Sequence, residues 1–157
     1  MTFSVKSGPG SLSGDELSID GAGAIVITAS QPGNDNYKAA SDVNRTQTVK
    51  KKSQTIDFAA IGDKVFGATP FELSATSSAG LQVTYTVLSG PATVSGNTLT
   101  LTGAGTVSIE ASQAGNDNFN AAEKKTNSFC VAPPVPEIEI IGSEFSPELV
   151  LKVTNAL

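Results

Sequence analysis

Residues 2–49 align without a gap to residues 84–131, an offset of 82, and 22 of the 48 paired positions are identical. Self-similarity at a fixed period is the mark of a chain built from repeated units, and it precedes any finer reading. The identities gather where a backbone needs special residues. Ser7-Gly8-Pro9 matches Ser89-Gly90-Pro91, and Ser13-Gly14 matches Ser95-Gly96. Gly21-Ala22-Gly23 matches Gly103-Ala104-Gly105. Gly33-Asn34-Asp35-Asn36 matches Gly115-Asn116-Asp117-Asn118, each followed by an aromatic (Tyr37 or Phe119) and then by Ala39-Ala40 or Ala121-Ala122.

The repeat divides the chain. Residues 54–131 read as a complete module of ordinary size for a small domain. Residues 1–49 read as the C-terminal part of an incomplete one, because Met1 falls at the position of Val83. Residues 50–53 form a linker with three lysines, and 132–136 form a second linker whose prolines cannot join a sheet ladder. Residues 137–157 alternate again, in Glu137-Ile138-Glu139-Ile140-Ile141 and Leu149-Val150-Leu151-Lys152-Val153, as opening strands of a further module would. The expectation is a fragment of a longer array. Two strands are wanting from the first copy, which predicts a loosely packed partial module. The alternating segments at 137–141 and 149–153 also offer strands that could complete it in cis or in trans.

Alternation with period two predicts seven strands in the second copy: 54–58, 71–76, 83–88, 92–95, 98–102, 106–112 and 128–131. Their inward positions carry Ile56, Phe58, Phe71, Leu73, Val83, Tyr85, Val87, Val94, Leu99, Leu101, Val107, Ile109, Phe129 and Val131. Thr84, Thr86, Thr100, Ser108 and Glu110 take the opposite faces. Gly96-Asn97 predicts a two-residue hairpin turn. Seven short strands with a turn every 8–12 residues predict a two-sheet antiparallel sandwich.

Composition excludes several kinds of chemistry. The chain has no His and one Cys, so His/Cys metal sites and His-activated nucleophiles are out of reach within one copy. Ten Lys+Arg against fifteen Asp+Glu give a net charge of −5, which argues against nucleic acid as a partner. No apolar run is long enough for a membrane-inserted helix. Ser and Thr supply about a fifth of the residues, in keeping with an exposed β surface.

Each polar cluster has a structural reading beside a functional one. Asp35 and Asp117 are the candidate metal ligands, for Ca²⁺ with amide and backbone oxygens, but one carboxylate per loop is thin for that ion. The competing reading is a turn in which Asn and Asp side chains bond the backbone, closed by the aromatic. Gly103-Ala104-Gly105 lacks the Lys-Ser/Thr and the helix that a phosphate loop needs. Asp57, Asp63, Glu72 and Glu110 are expected on solvent faces or loops, without a cleft to make an acid–base pair. Tyr37, Tyr85, Phe58, Phe71, Phe119 and Phe129 are expected at core phases, which leaves no aromatic platform for a sugar; Phe66 and Phe145 are unassigned. Lys50-Lys51-Lys52 reads as a solvated linker rather than an anion-binding patch, and Cys130 as an outward-facing thiol. No catalytic residue and no cofactor is expected.

Three further stretches complete a recognisable order: Gln54-Thr55-Ile56-Asp57-Phe58, Phe66-Gly67-Ala68-Thr69-Pro70-Phe71-Glu72-Leu73, and Gly80-Leu81-Gln82-Val83-Thr84-Tyr85. With Ser89-Gly90-Pro91 and Gln113-Ala114-Gly115-Asn116, the run from Thr2 to Val131 resembles the bacterial immunoglobulin-like repeats of large secreted and cell-surface proteins. The resemblance implies immunoglobulin-like β-sandwich modules in tandem, export to the cell surface or beyond, and a non-catalytic role as spacer or adhesive stalk. Partners would then be the neighbouring modules, with a surface glycan or protein as an outside ligand. The alternative it implies is an accessory carbohydrate- or protein-binding module of a secreted multidomain enzyme.

Overall fold

The structure is a computed structural model in which residues 1–140 and 151–154 are described. Every regular element among them is a strand. The chain divides into two compact units: Met1–Thr55 with Ser77–Leu81 and Gln113–Glu123, and Ile56–Thr76 with Gln82–Ser112 and Lys124–Leu157.

In the first unit, β1 (Thr2–Ser7), β4 (Gly23–Ser30) and β5 (Val43–Val49) form an antiparallel sheet in the order β1-β4-β5. β2 (Gly10–Ser13) and β3 (Glu16–Ile19) form a separate hairpin. Ile25, in the middle of β4, is fully buried. The neighbouring apolar positions are less well covered: Ile19 is 57% exposed, and Phe3 and Val43 are exposed too.

The second unit carries the same elements at the same offset. β10 (Thr84–Ser89), β13 (Gly105–Ser112) and β14 (Lys125–Ala132) repeat the three-stranded sheet, and β11 (Ala92–Ser95) with β12 (Thr98–Leu101) repeats the hairpin. Each copy has its register shift in the same place, after Val5 and after Val87. The shift leads into a glycine that cannot be replaced cheaply. Gly8 and Gly90 have φ of 101° and 99°, and a Cβ there would overlap the carbonyl oxygen of Ala24 or Thr106.

The second unit adds four short strands. β6 (Ile56–Phe58) pairs with β9 (Ala75–Ser77). β8 (Phe71–Glu72) lies along β12, with Phe71 opposite Leu99 and Glu72 opposite Thr98. β7 (Lys64–Val65) runs parallel to β14 and closes the edge of the larger sheet, in the order β10-β13-β14-β7. Leu73, Leu99, Leu101, Val107, Ile109, Phe129 and Val131 meet in one buried cluster. Phe58, Phe66, Phe71, Tyr85, Val87 and Val94 pack around it, with Phe71 edge-on to Phe129 at 6.4 Å between ring centroids. The result is a β-sandwich-like arrangement of antiparallel sheets with one parallel edge pairing.

Two expectations about the strands are corrected. The strand predicted at 71–76 is broken into β8 and β9, because Leu73 turns its N–H to Asn97 O (2.7 Å) instead of continuing the β6–β9 ladder. β7 was not anticipated, since two residues of Lys-Val carry no alternation. The two-residue hairpin turn expected at Gly96-Asn97 is present, with Ser95 opposite Thr98 and only the glycine at positive φ (61°), as in a type II′ turn. Where they are described, the alternating segments at 137–141 and 149–153 pair with each other. β15 (Glu137–Ile140) pairs with β16 (Leu151–Thr154), Ile138 opposite Val153, and neither joins another sheet. Ile141, Leu149 and Val150 lie outside the described residues, as does Phe145.

Candidate functional site

The most polar constellation of the sequence forms the same loop twice. Asn34 Oδ1 accepts hydrogen bonds from the N–H groups of Asn36 (3.0 Å) and Tyr37 (2.9 Å). Asn116 Oδ1 does the same for Asn118 (2.9 Å) and Phe119 (3.0 Å). Gln31 Oε1 and Gln113 Oε1 each accept from the glycine two residues on, Gly33 and Gly115. Backbone bonds from Ala40 N to Gln31 O (3.0 Å) and from Ala122 N to Gln113 O (2.9 Å) tie the loop ends together. Gly33 and Gly115 have φ near 80°, and a Cβ on either would strike the carbonyl of Tyr37 or Phe119. The amide oxygens that Ca²⁺ would need are thus spent on backbone N–H groups, which is the chemistry of an Asx turn. Asp35 and Asp117 are exposed, and no group of three His, Cys, Asp or Glu side chains comes together among the described residues.

What surrounds the two loops differs. The second is fastened to the linker that precedes it. Lys52 N donates to Asn118 O (2.8 Å), Asn120 N donates to Lys52 O (2.9 Å), and Lys51 Nζ donates to Asn116 O (2.7 Å). Asn118 Oδ1 accepts from Ala22 N (2.8 Å), beside Gly21, where a Cβ would crowd the amide at 2.9 Å. Gln54 is buried at the centre of this network. Its Nε2 donates to Gln113 Oε1 (2.6 Å) and Asn120 O (2.8 Å), and its Oε1 accepts from Ser77 Oγ (2.6 Å). A buried amide with both ends satisfied stabilises one geometry and is costly to disturb. Sequence reasoning did not single out Gln54, although the matched Gln31 and Gln113 flag the position it binds. Lys50-Lys51-Lys52 is also corrected in part: Lys51 and Lys52 are structural donors, not merely a solvated run.

The remaining candidates are dispersed. Asp63 Oδ1 accepts from Cys130 N (2.8 Å), so it anchors the residues before β7 to β14. Glu72 stands in β8, and Asp57 is exposed in β6. Glu110, expected on a solvent face, has a side chain only 18% exposed and pairs with Lys124 at 2.8 Å. Asn127, which no motif indicated, donates from Nδ2 to Phe58 O (3.2 Å) and Ala59 O (2.7 Å). Cys130 is exposed, as its phase predicted. Tyr37 is not at a core position: it is 76% exposed, whereas Phe119 is half-buried.

Hollows of ligand size by volume include one of about 310 Å³ lined by Asn34, Asp35, Asn36, Tyr37 and Lys38, and two more lined in part by apolar residues. One of about 580 Å³ is lined by Leu73, Gln82, Val83, Thr84, Tyr85, Gly96 and Asn97. The other, of about 300 Å³, lies in the first unit between Phe3, Leu12, Leu17, Ile27 and Val43, with Asp15 and Arg45 at its rim. The hollow of about 580 Å³ presents no ionisable group besides the Tyr85 phenol. No helix among the described residues is long and apolar enough to cross a membrane. Compared with protein families and with curated proteins, the chain finds no match in either.

Proposed function

We propose that the chain belongs to a tandem array of immunoglobulin-like modules and serves as a non-catalytic spacer or adhesive stalk in a large exported bacterial protein. The observation that carries this reading is the fastening of the repeated loop at 113–122 to the linker at 51–54 and to Ala22. The residues duplicated between the copies are spent on backbone turns and on this linker, which is what a repeat needs if it is to follow another at a set distance. The scattered carboxylates supply no acid–base pair. A surface rich in Ser and Thr with net negative charge keeps such an array from self-association.

The reading is tested by replacing Asn118 and Lys51 with Ala in the full chain and measuring residual dipolar couplings. A spacer stiffened by these bonds becomes less ordered across the linker while both copies keep their own amide shifts. Unchanged couplings would remove the support. The exposure of Tyr37, in the lining of a hollow of about 310 Å³ with Asn34, Asp35, Asn36 and Lys38, favours a second reading as an accessory glycan- or protein-binding module. That reading requires saturable binding that Tyr37→Ala abolishes without moving the melting temperature.

A further inference from the structure

The cavity of about 580 Å³ in the second unit falls within the span of about 300–1,000 Å³ common among small-molecule sites. The buried part of its lining is apolar and consists of Leu73 and Val83. The exposed part is polar and uncharged. It comes from Gln82 and Thr84, around the start of β10, and from Gly96 and Asn97, at the tip of the β11–β12 hairpin. Tyr85 stands between the two, half-buried.

These walls are tied together. Leu73 N donates to Asn97 O (2.7 Å), which joins the apolar part to the hairpin tip. The Thr84 hydroxyl meets Ser112 Oγ (3.0 Å) on the neighbouring strand. The Tyr85 ring is held against Phe58, at 5.7 Å between centroids. Three polar groups remain open. The side chains of Gln82, Asn97 and Tyr85 have no hydrogen-bond partner among the described residues. No unpartnered side-chain polar atom is buried among those residues, so the Tyr85 hydroxyl reaches solvent.

We propose that this cavity binds a neutral sugar residue. No charged side chain lines it, so nothing there offsets the cost of desolvating a phosphate, a carboxylate or an ammonium group. Each open amide carries donors and an acceptor side by side, and a hydroxyl is likewise both donor and acceptor. Gln82 and Asn97 can therefore each bridge two neighbouring hydroxyls of a sugar, and the Tyr85 hydroxyl can meet a third. Between its hydroxyls a pyranose presents C–H groups, which Leu73 and Val83 can cover. A flat heteroaromatic ring would need a free aromatic face, and the Tyr85 ring is already packed on Phe58. This site is separate from the loop that carries Tyr37, and it does not rest on the spacer reading.

The first copy supplies the variants. Phe3 stands at the position of Tyr85, and Asp15 at that of Asn97. Strand β1 and the β2–β3 hairpin form with those residues in place. Tyr85→Phe and Asn97→Asp thus remove a hydroxyl and an amide donor from elements that tolerate the change. The test titrates isotope-labelled full-length chain with the methyl glycosides of glucose, galactose and mannose, and with glucuronic acid. The expected result is saturable shifts at the amides of residues 82–85 and 96–97 with at least one neutral sugar, and weaker binding of glucuronic acid. Gln82→Ala, Tyr85→Phe and Asn97→Asp should each weaken binding about two- to tenfold, as the loss of one hydrogen bond does. Tyr37→Ala should leave it unchanged. The inference is overturned if no neutral sugar moves those amides at high millimolar concentration, or if the three variants leave the affinity where it was. Glucuronic acid binding as tightly as methyl glucoside would also overturn it. So would loss of binding in Tyr37→Ala, which would place the sugar on the loop at 31–40.

Discussion

The two copies share their turns and differ in what covers their sheets. Val107 and Ile25 are both fully buried at the same position of the central strand. Directly across, on the neighbouring strand, the copies part. Phe129 is buried at 4%, while its counterpart Gln47 lies on an exposed strand. Leu99 and Leu17 are the same residue in the same hairpin, yet only Leu99 is sealed, within a cluster against which Phe71 of the neighbouring strand packs. A hairpin and a three-stranded sheet can therefore be specified locally, but a closed core needs strands from further along the chain. The difference also shows why local identity is a poor guide to energetics. Burial, not residue type, sets how much a side chain contributes.

The comparison can be broken most directly in the core. Leu99→Ala should destabilise the second unit by about 2–5 kcal/mol, while Leu17→Ala should lower stability by less than about 1 kcal/mol. Urea titrations followed by methyl resonances in each unit separate the two. Equal losses would mean that Leu17 is packed as Leu99 is. Next in size is Gln54→Ala, which strands Gln113 and Ser77 and should cost about 1–3 kcal/mol. Calorimetry of the full chain measures it; Gln54→Glu is a sharper probe, because it keeps the shape but loses the Nε2 donor to Gln113 and Asn120.

A smaller effect tests the shared part of the fold. Gly90→Ala and Gly8→Ala should each cost at least about 1 kcal/mol, since both impose a Cβ at positive φ against a carbonyl. Hydrogen exchange of β13 and β4 gives the two losses separately. Unequal losses would show that the first copy relaxes around the strain because it is less tightly packed. The smallest expected change is Lys124→Ala. Its pair with Glu110 is largely open to solvent on the lysine side, so removal should cost no more than about 1 kcal/mol and less at high salt. A melting series at two ionic strengths checks it.

Much of this arrangement was legible in the residues. Period-two alternation located every long strand of the second copy to within a few residues, and Gly-containing turns marked their ends. The Asx-turn reading of the Asn-Asp-Asn loops also matches the geometry, since the Asn34 and Asn116 side chains bond N–H groups two and three residues on. What was hidden had the opposite character. β7 is two residues long and is held by a parallel partner more than sixty positions away. Glu110 was expected in water, but Lys124 and its own strand half-cover it. Tyr37 occupies the phase of Phe119, but the linker residues that flank Phe119 have no counterpart beside Tyr37.

The sequence by itself determined the repeat, its period, the strand alternation and the places where only glycine fits. These are read from patterns local in the chain, even where, as at Gly8 and Gly90, the residue is fixed by a backbone sixteen positions away. The tertiary structure alone decided which of two matching faces became a sealed core and that Gln54 would be a buried hub. It also decided that Lys51 and Lys52, though exposed, would hold a loop. Those outcomes rest on segments far apart in sequence, and a residue's own pattern carries no record of what will be brought to lie against it.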